Sequence, residues 1–284
     1  MYPPGTGALS AVLPGGPTHP PRQSATAAPA LIAVAHGSRD PRSAATMHAV
    51  VEQIAAARPH VDVRLAFLDL STPSLEQVAD AAAAGHTHAI VTPLLLGSAF
   101  HARVDLPGLL ATAANRNPRL RLTQADVLGP DPCLVGVLRE RVLTTLAAHT
   151  TLDATPERGT PASGSAADRL GIAVAAVGSS SPAANARTAE VARQLAALTG
   201  WDTEICFATT EPTVLEALDR LRSRGADQLL VAPWFLAPGL LTDRLVAAAP
   251  DLLHADVLGP HRALTDIVWA RYDAALTARL TLSA

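Results

Sequence analysis

Short, nearly continuous runs of Val, Ile, Leu and Ala alternate along this chain with stretches whose apolar positions recur every three or four residues. In the first half the runs predict strands near Leu31–Ala35, Val61–Phe67, Ala89–Leu95 and Leu120–Val127, with helices between them. The stretch from about Arg42 to Ala57 sets Met47, Val50, Val51 and Ile54 at i, i+3, i+4 and i+7, one face of a helix. Strands that are apolar on both faces and separated by helices predict a parallel sheet covered on either side, with right-handed crossovers.

The pattern occurs twice. "IAVAHGSRDP" from Ile32 answers to "AVAAVGSSSP" from Ala173, "LAFLDLSTPSL" from Leu65 to "ICFATTEPTVL" from Ile205, and "AIVTPLLLGSAFH" from Ala89 to "LLVAPWFLAPGLL" from Leu229. "ADVLGP" recurs literally at Ala125 and Ala255. The spacing is longer than that of a solenoid and predicts a duplicated domain. The expected class is α/β: two tandem Rossmann-like domains, each a parallel sheet of about four strands flanked by helices. Residues 1–28, rich in Pro, Gly, Ser and Ala without periodicity, are expected to be a disordered tail. The first domain then spans 29–148, a polar linker 149–169, and the second domain 170–284.

Composition narrows the picture. With 49% hydrophobic but only 3% aromatic residues, the cores must be built from Ala, Leu and Val. No basic opening leads into an uninterrupted apolar core, and Pro14, Pro17, Pro20 and Pro21 break what there is, so no signal peptide is expected. Charges interrupt every apolar run well short of about 20 residues, so no membrane span is expected either. A net charge of -3 argues against general nucleic-acid binding, and any anionic ligand must meet local arginines. Cys133 and Cys206 make no disulfide framework and match no metal spacing, which suits a reducing cytoplasm.

In open α/β sheets ligands collect at the carboxyl ends of the strands. His36 ends the first strand and His101 lies in the loop after the third. Neutral imidazole binds Fe, Co, Ni and Zn, so two histidines from adjacent loops can hold one ion with positions left open; the alternative for each is a hydrogen-bonded structural histidine. Asp69, in "FLDLS", adds a carboxylate to this edge, or serves as a cap or turn residue ahead of Pro73. Arg39, Arg42 and Arg103 flank the histidine segments, either as donors to an anionic ligand or as solvated surface groups. Ser38 is an anion donor or a helix N-cap. For His19, His48, His60, His86, His88, His149, His254 and His261 a surface role is expected.

"AHGSRDP", "FLDLSTPSL" and "PLLLGSAFHARVDLP" together resemble the signature segments of the CbiX/SirB class of sirohydrochlorin chelatases, in the double-domain form. The resemblance implies that His36 and His101 serve the metal and the catalysis and that Asp69, one methylene shorter than the family's glutamate, assists them. It implies sirohydrochlorin and a divalent ion as substrates, Fe(II) first and Co(II), towards cobalamin, as the alternative. The ligand's carboxylates are expected to meet Ser38, Arg39, Arg42 and Arg103. No tightly bound cofactor is expected, because the metal is itself a substrate. Two other readings are weighed. A histidine phosphatase wants an arginine immediately before the histidine, where Ala35 stands; a non-catalytic tetrapyrrole or metal carrier shares the pocket and the histidines. In the second half Val177 stands where His36 does, Leu241 where His101 does and Thr209 where Asp69 does. One active site per chain is therefore expected, on residues 30–148 and closed by the second domain, in a monomer with internal pseudo-two-fold symmetry.

Overall fold

The computed structural model describes residues 28–97, 105–153 and 169–282. The first half runs β1 (Ala30–Ala35), α1 (Pro41–Ala57), β2 (Val63–Phe67), α2 (Leu75–Ala83), β3 (His88–Pro93), α3 (Leu106–Arg116), β4 (Arg121–Gln124) and α4 (Pro132–Asp153). The second repeats it as β5 (Leu170–Ala176), α5 (Pro182–Thr199), β6 (Asp202–Phe207), α6 (Val214–Ser223), β7 (Gln228–Pro233), α7 (Leu240–Ala248), β8 (Leu253–His254) and α8 (Arg262–Leu282). The strands form two parallel four-stranded sheets, ordered β2-β1-β3-β4 and β6-β5-β7-β8. In the first, Leu31 of β1 stands between Val63 of β2 and Ile90 of β3.

Alternation along β1 divides its side chains between two cores. Leu31, Ala33 and Ala35 join Met47, Val50, Val51 and Ile54 of α1 in a central core, whereas Ala30, Ile32 and Val34 meet Leu75, Val78, Leu106 and Leu110 of α2 and α3 on the other face. Helix starts carry the chemistry their positions demand. Asp40 caps α1 ahead of Pro41, and capping boxes open α2 (Ser74 with Gln77) and α6 (Thr213 with Glu216).

The halves exchange their last helices. Helix α8 packs on β3 and α1 of the first half, and α4 packs on β7 and α5 of the second. Leu134 and Leu138 of α4, Val268 and Trp269 of α8, Leu31 of β1 and Ile172 of β5 belong to one continuous core. The Trp269 indole N–H donates to the Ile54 carbonyl at 3.2 Å, the Arg58 guanidinium lies 4.4 Å over the Trp269 ring, and Arg58 makes two 2.7 Å bonds to Asp273.

This exchange revises the domain limits read from the sequence, since residues 132–153 cover the second sheet. Helix α4 also runs into the segment expected as linker, and 154–168 lie outside the described residues. At the start of the chain Ala28 already packs on the central core, and the Pro29 carbonyl accepts from Tyr272 at 2.7 Å. The fold thus begins one residue before the expected boundary; the rest of the expected tail, 1–27, lies outside the described residues. Strand β4 stops at Gln124, short of Val127, because after a last bond from Ala125 to Val91 the chain turns back over the end of β3. Among the described residues no helix is long and apolar enough to cross a membrane.

Candidate functional site

Strand order makes β1 and β3 neighbours, while the chain leaves β1 towards β2 on one side and returns to β3 on the other. The crevice this opens at the carboxyl ends of β1 and β3 is where such folds bind ligands. His36 follows β1 directly and is exposed there.

The loop after β1 is locked to the loop after β2. Leu68 N–H donates to Ala35 O at 2.9 Å and Asp69 N–H to His36 O at 3.1 Å. Ser38 N–H donates to Ser71 Oγ, whose hydroxyl donates back to Ser38 O at 3.0 Å. Only glycine permits this approach: Gly37 has φ +95°, and a Cβ there would lie 1.7 Å from the Asp69 carbonyl oxygen. Leu70 is also left-handed, at φ 60°. The structure therefore brings His36 and Asp69 together. Asp69 is exposed, and its Oδ1 accepts from Leu70 N–H at 2.7 Å, the behaviour of a turn residue.

Ser38 is not the N-cap of α1. That place belongs to Asp40, and the Ser38 hydroxyl accepts from Asp40 N–H at 3.0 Å. Asp40 is 8% exposed, and the Arg42 guanidinium beside it holds its carboxyl below the usual carboxylate range. Arg42 binds Asp40 through Nε and Nη2, and the same Nη2 reaches Asp243 of α7 at 2.5 Å. These two carboxylates raise the Arg42 pKa, so it remains charged. Arg39 is exposed on the same loop.

His101 and Arg103 lie outside the described residues, but the stems of their loop do not. Leu94 N–H donates to Val34 O at 2.8 Å, next to the end of β1. Leu128 N–H donates to Leu95 O, and a Cβ on Gly129 would fall 2.7 Å from Leu96 O. At the far end, fully buried Leu106 anchors α3. The loop thus departs from the strand end adjoining His36.

The second half keeps this framework with a valine and a threonine in place of His36 and Asp69. Ala208 N–H donates to Ala176 O and Thr209 N–H to Val177 O, and Gly178 has φ +93°. Val177 and Thr209 are therefore the spatial counterparts of His36 and Asp69. The Thr209 hydroxyl is turned to the Val177 carbonyl, at 2.7 Å. Leu241 is different, because twelve residues separate Pro93 from Leu106 but only six separate Pro233 from Leu240. Leu241 is accordingly inside α7, packed on the outer core, and the loop that carries His101 has no counterpart of equal length.

Four of the other histidines take structural roles. His88 is buried and bonded to Thr123, which corrects the expected surface role, and His86 bonds Asp62 at 2.9 Å; both belong to the opposite edge of the sheet. His254 bonds the Ala249 carbonyl, and His261 bonds Glu140 of the other half. Among the described residues no three His, Cys, Asp or Glu side chains group closely enough to hold a metal ion. Burial pushes the Cys206 thiol up to about 12, so it stays protonated and is a poor ligand. The sequence reading missed Asp40 and Asp243; "DP" before an apolar-periodic run marks Asp40 as a cap, whereas nothing local marks Asp243.

An exposed imidazole on a loop joined through its backbone to one that carries an exposed carboxylate, at a strand-end crevice, can ligate an entering cation and accept protons. Comparisons with known proteins agree. The CbiX family model matches residues 30–145 and again 171–275. The chain is 26% identical over 252 residues to a sirohydrochlorin ferrochelatase of Priestia megaterium, covering 84% of this chain and 87% of the relative. It is 26% identical over 219 residues to a sirohydrochlorin cobaltochelatase of the same organism, covering 75% and 65%. In fold it is similar to the solved structure of SirB from Bacillus subtilis with Fe3+, with a TM-score of 0.63 at 23% identity, covering 87% of this chain and 94% of that one. With its two halves each matched across both the sheet and the strand-end loops, the chain belongs to the CbiX family.

Proposed function

We propose that this protein inserts a divalent metal, Fe(II) in the first instance, into sirohydrochlorin on the route to sirohaem. The observation that carries the reading is the pairing of His36 with Asp69 through the Asp69 N–H to His36 O bond, beside the stem of the loop bearing His101. The named activity of the Priestia megaterium relative, aligned over most of both chains, supports it.

Insertion requires the ion to shed water and two pyrrole N–H groups to lose their protons, so the protein must supply exchangeable ligands and a proton acceptor. His36 and His101 provide both functions, and Asp69 tunes an imidazole or relays a proton. Arg39, Arg103 and Ser38 meet the carboxylates of the tetrapyrrole. Arg42, engaged by Asp40 and Asp243, acts from behind them. The second half has Val177 and Thr209 at the positions of His36 and Asp69 and walls the crevice. Metal is substrate, and no resident cofactor takes part. Two free cysteines, one buried, suit a reducing cytoplasm. Cobalt is the second reading, favoured by the cobaltochelatase relative and by imidazole's acceptance of both ions.

An anaerobic absorbance assay of the full chain with sirohydrochlorin and Fe(II) or Co(II) tests the reading. Turnover with iron is expected. Activity with cobalt and never with iron overturns the metal assignment, and binding without turnover makes the protein a carrier.

A further inference from the structure

We infer that Asp243, on the half without the histidine, is a positioning residue for the His36 edge. The inference rests on the chelatase reading above and assigns the second half a specific task within it.

The first turn of α7 is stiffly built. Gly239 N–H donates to Thr242 Oγ1 at 2.9 Å, the Thr242 hydroxyl donates back to Gly239 O at 2.7 Å, and Thr242 is buried. Asp243 therefore stands on a fixed element, in the helical turn that favours a carboxylate. It accepts from Arg42 Nη2 at 2.5 Å, and Arg42 grips Asp40, the cap of α1, through Nε and Nη2. The backbone at Gly239 approaches the same loop so closely that a Cβ there would lie 3.8 Å from Asp40 Cβ and 3.9 Å from Ser38 Oγ. Residues 36–42 are thus held on one side by the β2 loop and on the other by the second half.

Among the described residues the arrangement has no echo across the pseudo-two-fold axis. In the repeat register Ser181 replaces Asp40 and Ala183 replaces Arg42, both flanking an equivalent proline, Pro41 or Pro182, at the helix start. In α3 the residue matching Asp243 is Leu109 counted from the helix start and Ala111 counted from its end, neither of them acidic. If the pair merely glued the halves together, either edge would serve; it occurs where the imidazole and carboxylate are. Arg42 and Asp243 are 51% and 53% exposed, so the pair adds little to global stability, which the shared core supplies. Its effect is local: it fixes where His36 stands relative to a ring bound against the second half.

The test uses the full chain with Asp243→Ala and Asp243→Glu. For Asp243→Ala we expect kcat for metal insertion to fall about tenfold, as small misplacements of a reacting group do. KM for sirohydrochlorin should stay within about twofold and the melting temperature close to that of the parent, and Asp243→Glu should recover most of the rate. Amide exchange of the peptide covering residues 36–42 should quicken in the alanine variant, a readout independent of turnover. Unchanged exchange, or parental kcat in Asp243→Ala, overturns the inference. A parent chain that inserts no metal would overturn the chelatase reading instead, while the exchange experiment would still decide whether Asp243 holds the loop.

Discussion

Arg141 of α4 and Arg271 of α8 occupy the same place in the two repeats, and each crosses to the other half. Arg271 Nε donates to the Val127 carbonyl at 3.1 Å and its Nη2 meets Asp131 at 3.2 Å, while Arg141 Nη2 donates to the Leu258 carbonyl at 2.8 Å. Both carbonyls belong to the repeated "ADVLGP" turn, which in the first half packs on Leu95 and Leu96 at the root of the His101 loop. The two arginines are not equal. Arg141 Nε is buried without a hydrogen-bond partner among the described residues, whereas Nε and Nη2 of Arg271 both donate to acceptors of the first half. Replacing Arg271 by Ala should therefore cost about 2 kcal/mol, the scale for a charged group bonded to partly buried acceptors. In a chain of 284 residues that is a fall in melting temperature of about 3 °C. Differential scanning calorimetry checks it, and a smaller loss is expected for Arg141→Ala.

The helix exchange bears on assembly. Each sheet already has its partner helix from within the chain, so the full protein should be a monomer. The first half alone, residues 28–153, would expose the faces that α8 and the second sheet cover, and should aggregate or pair through its own α4. Multi-angle light scattering on both chains decides this; a stable dimer of the full chain at low concentration contradicts it.

Catalysis should reside in one half. His101→Ala should abolish insertion and His36→Ala should lower it about a hundredfold, with melting temperature unchanged for His36→Ala because that side chain is exposed. Calorimetric metal titration should find one site per chain. Two equivalent sites, or near-normal turnover in His101→Ala, would show that the second half works as well.

Gly37 and Gly178 offer a matched pair. Both have left-handed backbone, but a Cβ on Gly37 strikes the Asp69 carbonyl, part of the backbone, whereas one on Gly178 meets side-chain atoms of Thr209, Thr210 and Phe207 at 2.9–3.0 Å. Gly37→Ala should destabilise by about 3 kcal/mol and lose activity, because the loops bearing His36 and Asp69 must part. Gly178→Ala should cost less and leave turnover near normal. Urea unfolding and the insertion assay read both effects.

Removal of residues 1–27 should leave melting temperature and turnover close to those of the full chain, since their composition offers no apolar face to pack. The cut must stop before Ala28 and Pro29, which touch the core and Tyr272. A loss of several degrees would show that the segment docks.

Periodicity located the four strands of the first half to within a few residues and helix α1, because parallel strands buried on both faces leave continuous apolar runs and α1 has one buried face. Periodicity and repetition together placed His36 at a strand end and paired it with Val177, since the glycine and proline that follow, Gly37 and Pro41 or Gly178 and Pro182, keep the same spacing in both repeats. The pairing of Leu241 with His101 failed where that condition fails, in a loop six residues shorter in the second half. Which sheet a helix covers is not written in its own apolar stripe: α4 and α8 would fit either half, and only the packed core decided that they cross. Likewise Asp243 is an ordinary first-turn acid in sequence, and its bond to Arg42 exists because the exchange of helices brings α7 against the loop after β1. Local pattern reports the environment of each side chain, while contacts between residues two hundred positions apart depend on how the assembled layers meet.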